Sequence, residues 1–264
     1  MIPSISNHFN ISSIPFLSPT RTPFLTESFI ENQSIINSVF FTRQIAAISG
    51  SSGSGKTALF NYTSNQLEPS SHRIIICSLS SPNKGGLYKS ISLKAGLVPK
   101  FYPDDSKNQL IEFFDNENRQ GKLNCIVVDE CQSFSIPMLE ELRCFYEDSA
   151  NFSLILSGLP SFFSEKLNLS VSSPMKRRIG IFIGVSNLSL NESKNYILHN
   201  LSAVNAKDNI FDEKSFPAVH GFTKGIPGKI NQLCYASMIY AFKNKSSIVT
   251  NEIVTSCSKI INFQ

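Results

Sequence analysis

The sequence predicts an α/β fold in which helices cover both faces of a parallel sheet, followed by a small helical domain. Up to about residue 186, short apolar runs of strand length alternate with longer helix-like segments. Beyond residue 186, helix-like segments follow one another with no obvious strand between them. The length of 264 residues suits one large α/β domain with a small appendage.

Composition and charge exclude several classes of protein. Hydrophobic residues make up 41% of the chain and charged residues 17%, which is enough apolar material for a core and argues against global disorder. No apolar run approaches the roughly 20 residues of a membrane-spanning helix, and the N-terminus lacks a secretory signal pattern. The six cysteines contain no CxxC pair, which favours reduced thiols. We therefore expect a cytoplasmic protein with no transmembrane segment.

Residues 1–26 are predicted to form an extended N-terminal arm. The arm is rich in Ser, Pro and Asn, and no helix can run through its prolines at positions 15, 19 and 23. Its phenylalanines are Phe9, Phe16 and Phe24. Their spread along the arm favours packing against the body of the protein or a neighbouring subunit, and a disordered leader is the alternative.

Residues 27–186 are predicted to form the α/β core. A helical stretch comes first, and the predicted strands are 44–49, 73–79, 125–129 and 153–157. The predicted helices between and after them are 56–66, 86–95, 107–118 and 138–147. Strands separated by helices of this length form a parallel sheet covered on both faces.

Residues 187–264 are predicted to form the helical domain. Ser189 and Glu192 form a capping-box pattern, because each side chain can accept a hydrogen bond from the free backbone amide of the other at a helix start. Tyr196 to Val204 continue this helix, and further helices are predicted near 215–220, 227–242 and 251–261.

A glycine-rich loop follows the first predicted strand and precedes a predicted helix. It satisfies the phosphate-loop pattern GxxxxGK[ST] with the residues Gly50, Ser51, Ser52, Gly53, Ser54, Gly55, Lys56 and Thr57. Glycines let the backbone curl so that its amides converge on phosphates, and the helix N-terminus adds a favourable partial charge. Lys56 would bind phosphate oxygens and Thr57 would hold Mg²⁺. The alternative is a Ser/Gly-rich loop that fits the pattern by chance.

An apolar strand ending in two carboxylates follows some 70 residues later. Asp129 can orient the Mg²⁺ shell and Glu130 can polarise an attacking water, as in a Walker B motif. Alone, such a pair is more often a solvated strand end. Together with the phosphate loop it predicts ATP and Mg²⁺ binding, with hydrolysis to ADP and phosphate favoured over transfer to a small acceptor.

Further short motifs extend this pattern along most of the chain. They are Asp129-Glu130-Cys131-Gln132, Leu139-Glu140-Glu141-Leu142-Arg143, Leu156-Ser157-Gly158-Leu159-Pro160, Arg177-Arg178-Ile179, Tyr196-Ile197 and Gly225-Ile226-Pro227-Gly228-Lys229-Ile230-Asn231. The set resembles the ExeA/GspA-like AAA+ ATPases and the transposition ATPases of the TniB, TnsC and MuB type. Pro15-Phe16 resembles the Pro-Phe element that this family carries ahead of its phosphate loop. The resemblance implies a five-stranded P-loop core, a helical lid, and ATP bound between subunits of a ring or helical oligomer.

The resemblance also implies roles for single residues. Arg178 would be the arginine finger that reaches a neighbour's γ-phosphate, with Arg177 as the other candidate; a solvated basic turn is the alternative. Leu159 stands where the family tends to have a polar sensor, which leaves Ser157 as the nearest hydroxyl.

A second departure lies in the lid, where Gly228 replaces an arginine of the family pattern. Lys229 or Lys224 would have to substitute, and an ammonium lacks the bidentate fork of a guanidinium. We expect ATP binding to survive and hydrolysis to be slow, so that ATP serves as a switch for assembly.

Charges are segregated along the chain. Residues 69–103 carry five basic residues and no acidic one, whereas residues 104–150 carry eleven acids and four bases. Lys84 and Lys89 are candidate contacts to the phosphates of double-stranded DNA, a mode that needs no base reading; the alternative is solvated helix faces. No helix-turn-helix or zinc-finger pattern is visible in the sequence, so sequence-specific recognition is not indicated.

Three functions are compatible with these features. The preferred one is a transposition target-selection ATPase that assembles with ATP on DNA and recruits a transposase. The second is an ExeA-like ATPase for secretion-apparatus assembly, although the resemblance would then imply a membrane helix and a wall-binding portion after the ATPase. The third is a non-hydrolysing nucleotide-binding scaffold, which the departures at Leu159 and Gly228 permit.

Overall fold

The computed structural model describes residues 2–17, 22–79, 82–149, 151–206 and 209–261, with side chains described from residue 5. The chain divides into two compact units. One contains Glu27–Ser51 and Lys56–Val185, and the other contains Met1–Thr26, Ser52–Gly55 and Ser186–Gln264. We call them the sheet unit and the helical unit. Pro19, one of the prolines used to predict the arm, lies outside the described residues.

The elements follow the chain in the alternating order that the sequence predicts. The strands are β1 (Ile45–Ser49), β2 (His72–Ser78), β3 (Leu123–Asp129), β4 (Ser153–Gly158) and β5 (Ile179–Gly184). The helices are α1 (Ile2–His8), α2 (Glu27–Thr42), α3 (Lys56–Gln66), α4 (Lys84–Ala95), α5 (Pro103–Arg119), α6 (Ile136–Ser149), α7 (Pro160–Ser164), α8 (Ser173–Arg178), α9 (Leu190–Ser202), α10 (Ser215–Thr223), α11 (Pro227–Lys243) and α12 (Asn251–Ile260).

The sheet unit is built on a five-stranded parallel sheet in the order β2-β3-β4-β1-β5. Successive apolar residues of each central strand enter opposite cores. Ile45 and Ala47 of β1 pack into the core formed with α4, α5 and α6, whereas Ala46 and Ile48 pack into the core formed with α2 and α3. This alternation buries both faces of the sheet and confirms the predicted α/β class.

The carboxyl ends of the parallel strands lie at one edge of the sheet. Ser49 of β1 is paired with Gly158 of β4, and Asp129 of β3 is paired with Ser78 of β2. Because the chain leaves each of these strands at the same edge, the loops that follow them are brought together.

The sheet unit differs from the sequence-based element assignment in several places, among them the short helices α7 and α8, which the sequence does not predict. No predicted strand covers 179–184, where the structure has the edge strand β5, in which only Ile179 and Ile183 are buried. Helix α5 begins at Pro103 rather than near residue 107, because proline is readily accommodated in the first turn of a helix.

The helical unit contains α9 to α12 together with the N-terminal segment. The predicted capping box at the start of α9 is confirmed, since the Ser189 hydroxyl accepts from the Glu192 amide and the Glu192 carboxylate accepts from the Ser189 amide. Buried residues of all four helices form one apolar cluster.

The N-terminal arm is not extended throughout, because residues 2–8 form helix α1 ahead of Pro15. Ile5, Phe9 and Phe16 are buried in the same apolar cluster as α9 to α12. The Phe16 ring meets the Phe211 ring edge to face, with 6.2 Å between centroids. The described part of the arm therefore packs on the helical unit of its own chain.

Among the described residues, no helix combines the length and the apolar character needed to cross a membrane.

Candidate functional site

The glycine-rich loop connects β1 to α3, as the sequence predicts. Gly53 and Gly55 have φ angles of +77° and +103°, a region that side chains with a Cβ rarely adopt. The buried Ser54 hydroxyl has no hydrogen-bond partner in the part of the chain that the structure describes. The loop therefore has the curled backbone that a phosphate-binding loop requires.

Lys56 is the first residue of α3, and its side chain is folded onto the loop. Only 5% of the residue is exposed, and its ammonium donates hydrogen bonds to the carbonyl oxygens of Gly50 and Ser51 at 2.7 and 3.0 Å. Burial lowers the pKa of Lys56, and the carboxylates of Glu130 and Asp129 partly oppose this effect. Lys56 therefore places a buried positive charge in the loop, next to the carboxylates of Glu130 and Asp129.

Asp129 is the centre of a hydrogen-bonded cluster at the end of β3. The residue is only 2% exposed. Its Oδ2 accepts from the Thr57 hydroxyl at 2.6 Å, and its Oδ1 accepts from the Ser157 hydroxyl at 2.7 Å and from the Glu130 amide at 3.0 Å. Three neighbouring parts of the chain, the start of α3 and the ends of β3 and β4, are thus joined at one carboxylate.

The residues of this cluster fit a magnesium ion. Mg²⁺ prefers hard oxygen ligands and is usually held by one or two carboxylates together with substrate phosphates. The Thr57 hydroxyl and the Asp129 carboxylate are oxygen donors 2.6 Å apart, so one ion could contact both. Asp129 is also locked by Ser157, which makes Ser157 part of the site.

Glu130 follows with an unusual backbone conformation. Its φ and ψ angles are 60° and 40°, the left-handed region in which residues other than glycine are uncommon. Strain of this kind is often found at functional sites, where the surrounding structure maintains it. The Glu130 carboxylate accepts a hydrogen bond from the side-chain amide of Gln132.

Arg177 and Arg178 end helix α8 on the surface of the sheet unit. The Arg178 side chain is 58% exposed, and its Nε donates to Glu147 Oε1 at 2.7 Å. Glu147 also binds Arg143, and the hydrogen bond from Arg143 is the main reason that the pKa of Glu147 is lowered. Arg177 makes only a long contact of 3.4 Å to the Ser173 carbonyl among the described residues.

Within the helical unit, Gly228 lies against Gly53. The Gly228 amide donates to the Gly53 carbonyl at 2.9 Å, and a Cβ at Gly228 would lie 3.1 Å from Gly53 Cα. This close approach leaves little room for a larger side chain at position 228. Lys229 lies in the first turn of α11, and Lys224 ends α10 with a left-handed backbone.

The two candidate DNA contacts have different surroundings. Lys84 forms ion pairs with Asp104 at 2.6 Å and Glu141 at 3.4 Å, and the hydrogen bond to Asp104 raises its pKa. Lys89 is exposed, and it forms no ion pair among the described residues. Lys89 is therefore the better placed of the two to bind a phosphate backbone.

Sequence reasoning missed some contributors to this region. Gln132 and Glu147 received no role, because their contacts to Glu130 and Arg178 depend on how the chain folds. The sequence analysis identified Ser157 only as the hydroxyl nearest to the position of the polar sensor. A polar residue near the end of an apolar strand was the sequence feature that could have indicated its role.

Part of the chain matches a known protein family. Residues 38–167 match the model of a family described as an AAA domain. No curated protein matches the sequence.

Solved structures with a similar fold include a protein in complex with DNA and a Holliday junction branch migration motor. The structure is similar to the Aeropyrum pernix ORC1 protein in complex with DNA, with a TM-score of 0.70, 15% identity, and coverage of 93% of this chain and 68% of that one. Cdc6p from Pyrobaculum aerophilum gives a TM-score of 0.70 at 14% identity, covering 97% and 71%. The Thermotoga maritima RuvB branch migration motor gives 0.61 at 17% identity, covering 90% and 70%. At these identities the likeness shows the fold, which is the P-loop AAA+ fold.

Proposed function

We propose that the protein is a Mg²⁺-dependent AAA+ ATPase that assembles with copies of itself on double-stranded DNA. The observation that carries the ATPase part of this proposal is the cluster in which Thr57 and Ser157 both bind the buried carboxylate of Asp129. A fortuitous Ser/Gly-rich loop would have no reason to place its threonine on the terminal acid of a strand some 70 residues away.

Each residue of the site has a role in this proposal. The backbone amides of 50–57 would bind phosphate oxygens, and Lys56 would exchange its two loop carbonyls for phosphate. Thr57 and Asp129 would hold Mg²⁺, which when bound neutralises charge on the phosphates. Glu130 would accept a proton from water as the water oxygen bonds to the γ-phosphorus and the bond to the bridging oxygen of ADP breaks.

We propose that this hydrolysis is slow. Leu159 supplies only its backbone amide to the region, and Gly228 supplies no cation. Gly53 lies so close to position 228 that the local packing favours glycine there over the arginine of the family pattern. ATP would then act chiefly as a switch for assembly.

Assembly into a ring or helical oligomer is supported by the exposure of Arg178. A guanidinium that is 58% exposed is available to a second molecule, and its weak surface pairing with Glu147 is easily exchanged for phosphate. We therefore propose Arg178 as the arginine finger for a neighbouring subunit, with Arg177 as its alternative.

Binding to DNA without sequence specificity is supported by the surface that precedes α5. Phe101 is 92% exposed and lies edge to face with the exposed Tyr102, beside Lys100. The Ser106 hydroxyl holds this turn by bonding both the amide and the carbonyl of Lys100. Exposed Lys100 on this held turn would contact the phosphate backbone of a duplex next to the exposed Phe101, and Lys89 would add a second phosphate contact.

Recruitment of a transposase is the most specific part of the proposal and rests on the resemblance to TniB, TnsC and MuB. An ExeA-like role in secretion-apparatus assembly uses the same nucleotide chemistry without DNA. A non-hydrolysing scaffold would bind ATP without turnover.

The experiment that tests the proposal measures DNA retention and ATP turnover on the same protein. We expect linear duplex DNA to be retained with ATP or a slowly hydrolysed analogue and to be released as salt rises, because phosphate contacts release counterions. The double substitution Lys89→Ala with Phe101→Ala should weaken retention. Arg119→Ala, which removes a charge at the other end of α5, is the matched control.

The outcomes separate the three functions. No ATP-dependent retention would reject the DNA-associated ATPase in favour of the secretion-type ATPase. Turnover that persists in Glu130→Gln would reject Glu130 as the base, and no turnover in the natural sequence under any condition would favour the scaffold.

A further inference from the structure

The turn after β3 is held in one conformation by contacts from several directions. Residues Cys131–Ser133 form a short 3-10 helix directly after the left-handed Glu130. The Lys166 ammonium donates to the carbonyl oxygens of Gln132 and Phe134 at 2.9 and 2.7 Å. The buried Cys131 thiol donates to the Val128 carbonyl at 3.0 Å. The side chains of this turn are therefore presented from a fixed backbone.

Gln132 uses both ends of its side-chain amide in this turn. Its Nε2 donates to Glu130 Oε2, and its Oε1 accepts from the Leu159 backbone amide at 3.2 Å. A carboxylate can only accept and a backbone amide can only donate, so only one orientation of the Gln132 amide satisfies both contacts. Gln132 thus links the Glu130 side chain to the segment that leaves β4.

Gly158 and Leu159 leave space for the side-chain amide of Gln132. A Cβ at Gly158 would lie 3.1 Å from Gln132 Oε1, so glycine at this position makes room for the amide. Leu159 has no polar side-chain atom, and its backbone amide provides the hydrogen bond at this position. The second Glu130 oxygen, Oε1, receives no hydrogen bond from the described residues and is available to water.

We infer that Gln132 is a positioning residue for hydrolysis, which holds the Glu130 carboxylate in place and couples it to the end of β4 where a polar sensor side chain is missing. This inference rests on the proposed ATPase function. Fixing one carboxylate oxygen limits the rotation of a side chain that already projects from a strained backbone, and leaves the other oxygen for the attacking water. The coupling means that a displacement of the β4 end, as ligand binding could produce, would be transmitted to Glu130.

Two substitutions of Gln132 test the inference. Gln132→Met keeps the length of the side chain and removes both hydrogen bonds, whereas Gln132→Glu keeps the acceptor for Leu159 but places a like charge beside Glu130. We expect each to lower kcat between about 10- and 100-fold, the range typical for residues that orient a catalytic group. The Kd for a slowly hydrolysed ATP analogue should not change, because Gln132 does not contact the phosphate loop in the described residues.

A second measurement does not depend on activity. In the nucleotide-free protein, Gln132→Met should lower the Tm in the natural sequence and lower it less in a Glu130→Ala background, because the two side chains bind each other. Gly158→Ala should lower kcat in the same way by displacing the amide. Gln120→Met, a surface glutamine at the end of α5, is the matched control and should leave kcat and Tm unchanged.

Natural kcat in both Gln132→Met and Gln132→Glu, with turnover abolished in Glu130→Gln, would overturn the inference and leave the proposed ATPase intact. Equal Tm losses in the two backgrounds would also overturn it. Undiminished turnover in Glu130→Gln would instead reject the proposed role of Glu130, and so identifies a failure of the function rather than of this inference alone.

Discussion

Two clusters of charged side chains in the sheet unit illustrate different uses of charge. Around Asp129, a buried carboxylate accepts from the Thr57 and Ser157 hydroxyls and from the Glu130 amide. Around Arg178, an exposed guanidinium shares the Glu147 carboxylate with Arg143. The first cluster satisfies its polar groups inside the chain, and the second leaves the Arg178 guanidinium exposed to solvent.

The difference between the two clusters indicates which part of the proposed site one chain forms by itself and which part needs a second molecule. Hydrogen bonds to a buried charge are strong and costly to break, so the Asp129 cluster is organised before any ligand arrives. Ion pairs at the surface contribute little to stability, so Arg178 can leave Glu147 for a better anion. We therefore expect substitutions in the first cluster to affect binding and stability, and substitutions in the second to affect cooperation between molecules.

The largest expected effect is on turnover by Arg178→Ala. An arginine finger is worth about 10³-fold or more in kcat, so turnover should fall to near background while ATP affinity is kept. If Arg178 acts on a neighbour, mixing Arg178→Ala with Lys56→Ala should restore part of the activity, since each protein supplies what the other lacks. Arg119→Ala is the surface control. Mixtures that remain as inactive as their parts would contradict action between subunits.

The next effect is on nucleotide binding by Lys56→Ala. Removal of an ammonium that forms charge-assisted bonds to phosphate should weaken ATP binding on the order of 100-fold, measured by titration calorimetry. Lys259→Ala, an exposed lysine of α12, should bind ATP as the natural protein does. Unchanged ATP affinity in Lys56→Ala would contradict the assignment of residues 50–57 as a phosphate loop. The contrast drawn between the Asp129 and Arg178 clusters would then lose its basis.

Lys56 also predicts a pH dependence of stability. Its pKa in the folded protein is below the ordinary value of 10.5, so in the window between the two values the unfolded chain binds more protons. The free energy of unfolding of the nucleotide-free protein should therefore gain a positive contribution as pH rises through that window toward 10.5. Urea unfolding at several alkaline pH values measures it, and Lys56→Met should lack this contribution. An identical pH slope in both proteins would show that burial of the ammonium carries no penalty.

Local sequence patterns predicted the Asp129 cluster better than the Arg178 cluster. The loop at 50–57 and the strand ending at Asp129 are each contiguous, and parallel strands place their carboxyl ends at one edge of the sheet. Glu147, the partner of Arg178, and Leu159, one of the two partners of Gln132, lie in other parts of the chain, and no periodicity or spacing identifies them. The edge strand β5 was also not predicted, because it pairs with the sheet on one side only and buries only Ile179 and Ile183.

Charge along the chain was also a poor guide to charge in space. The basic segment around Lys84 and the acidic segment that follows it are separate in sequence, yet Arg73 pairs with Glu117 at 2.7 Å and Lys84 pairs with Asp104 at 2.6 Å. Packing of β2, α4 and α5 brings these residues together and neutralises part of the basic face. A DNA surface therefore has to be sought at the exposed Lys89 and Phe101 rather than at every lysine of the segment.

The smallest expected effect comes from the pair Asp129→Ala and Glu147→Ala, which removes one carboxylate from each cluster. Asp129→Ala leaves buried hydroxyl and amide groups unpaired and should cost about 1–3 kcal/mol of unfolding free energy for the groups that stay unsatisfied. Glu147→Ala should shift the Tm much less, because Arg143 keeps its bonds to Glu140 and Arg178 gains water. Thermal unfolding of the two variants side by side measures the contrast. Equal losses of Tm in the two variants would mean that the Arg178 cluster stabilises the fold. Arg178 would then not be available to bind the phosphate of a neighbouring molecule.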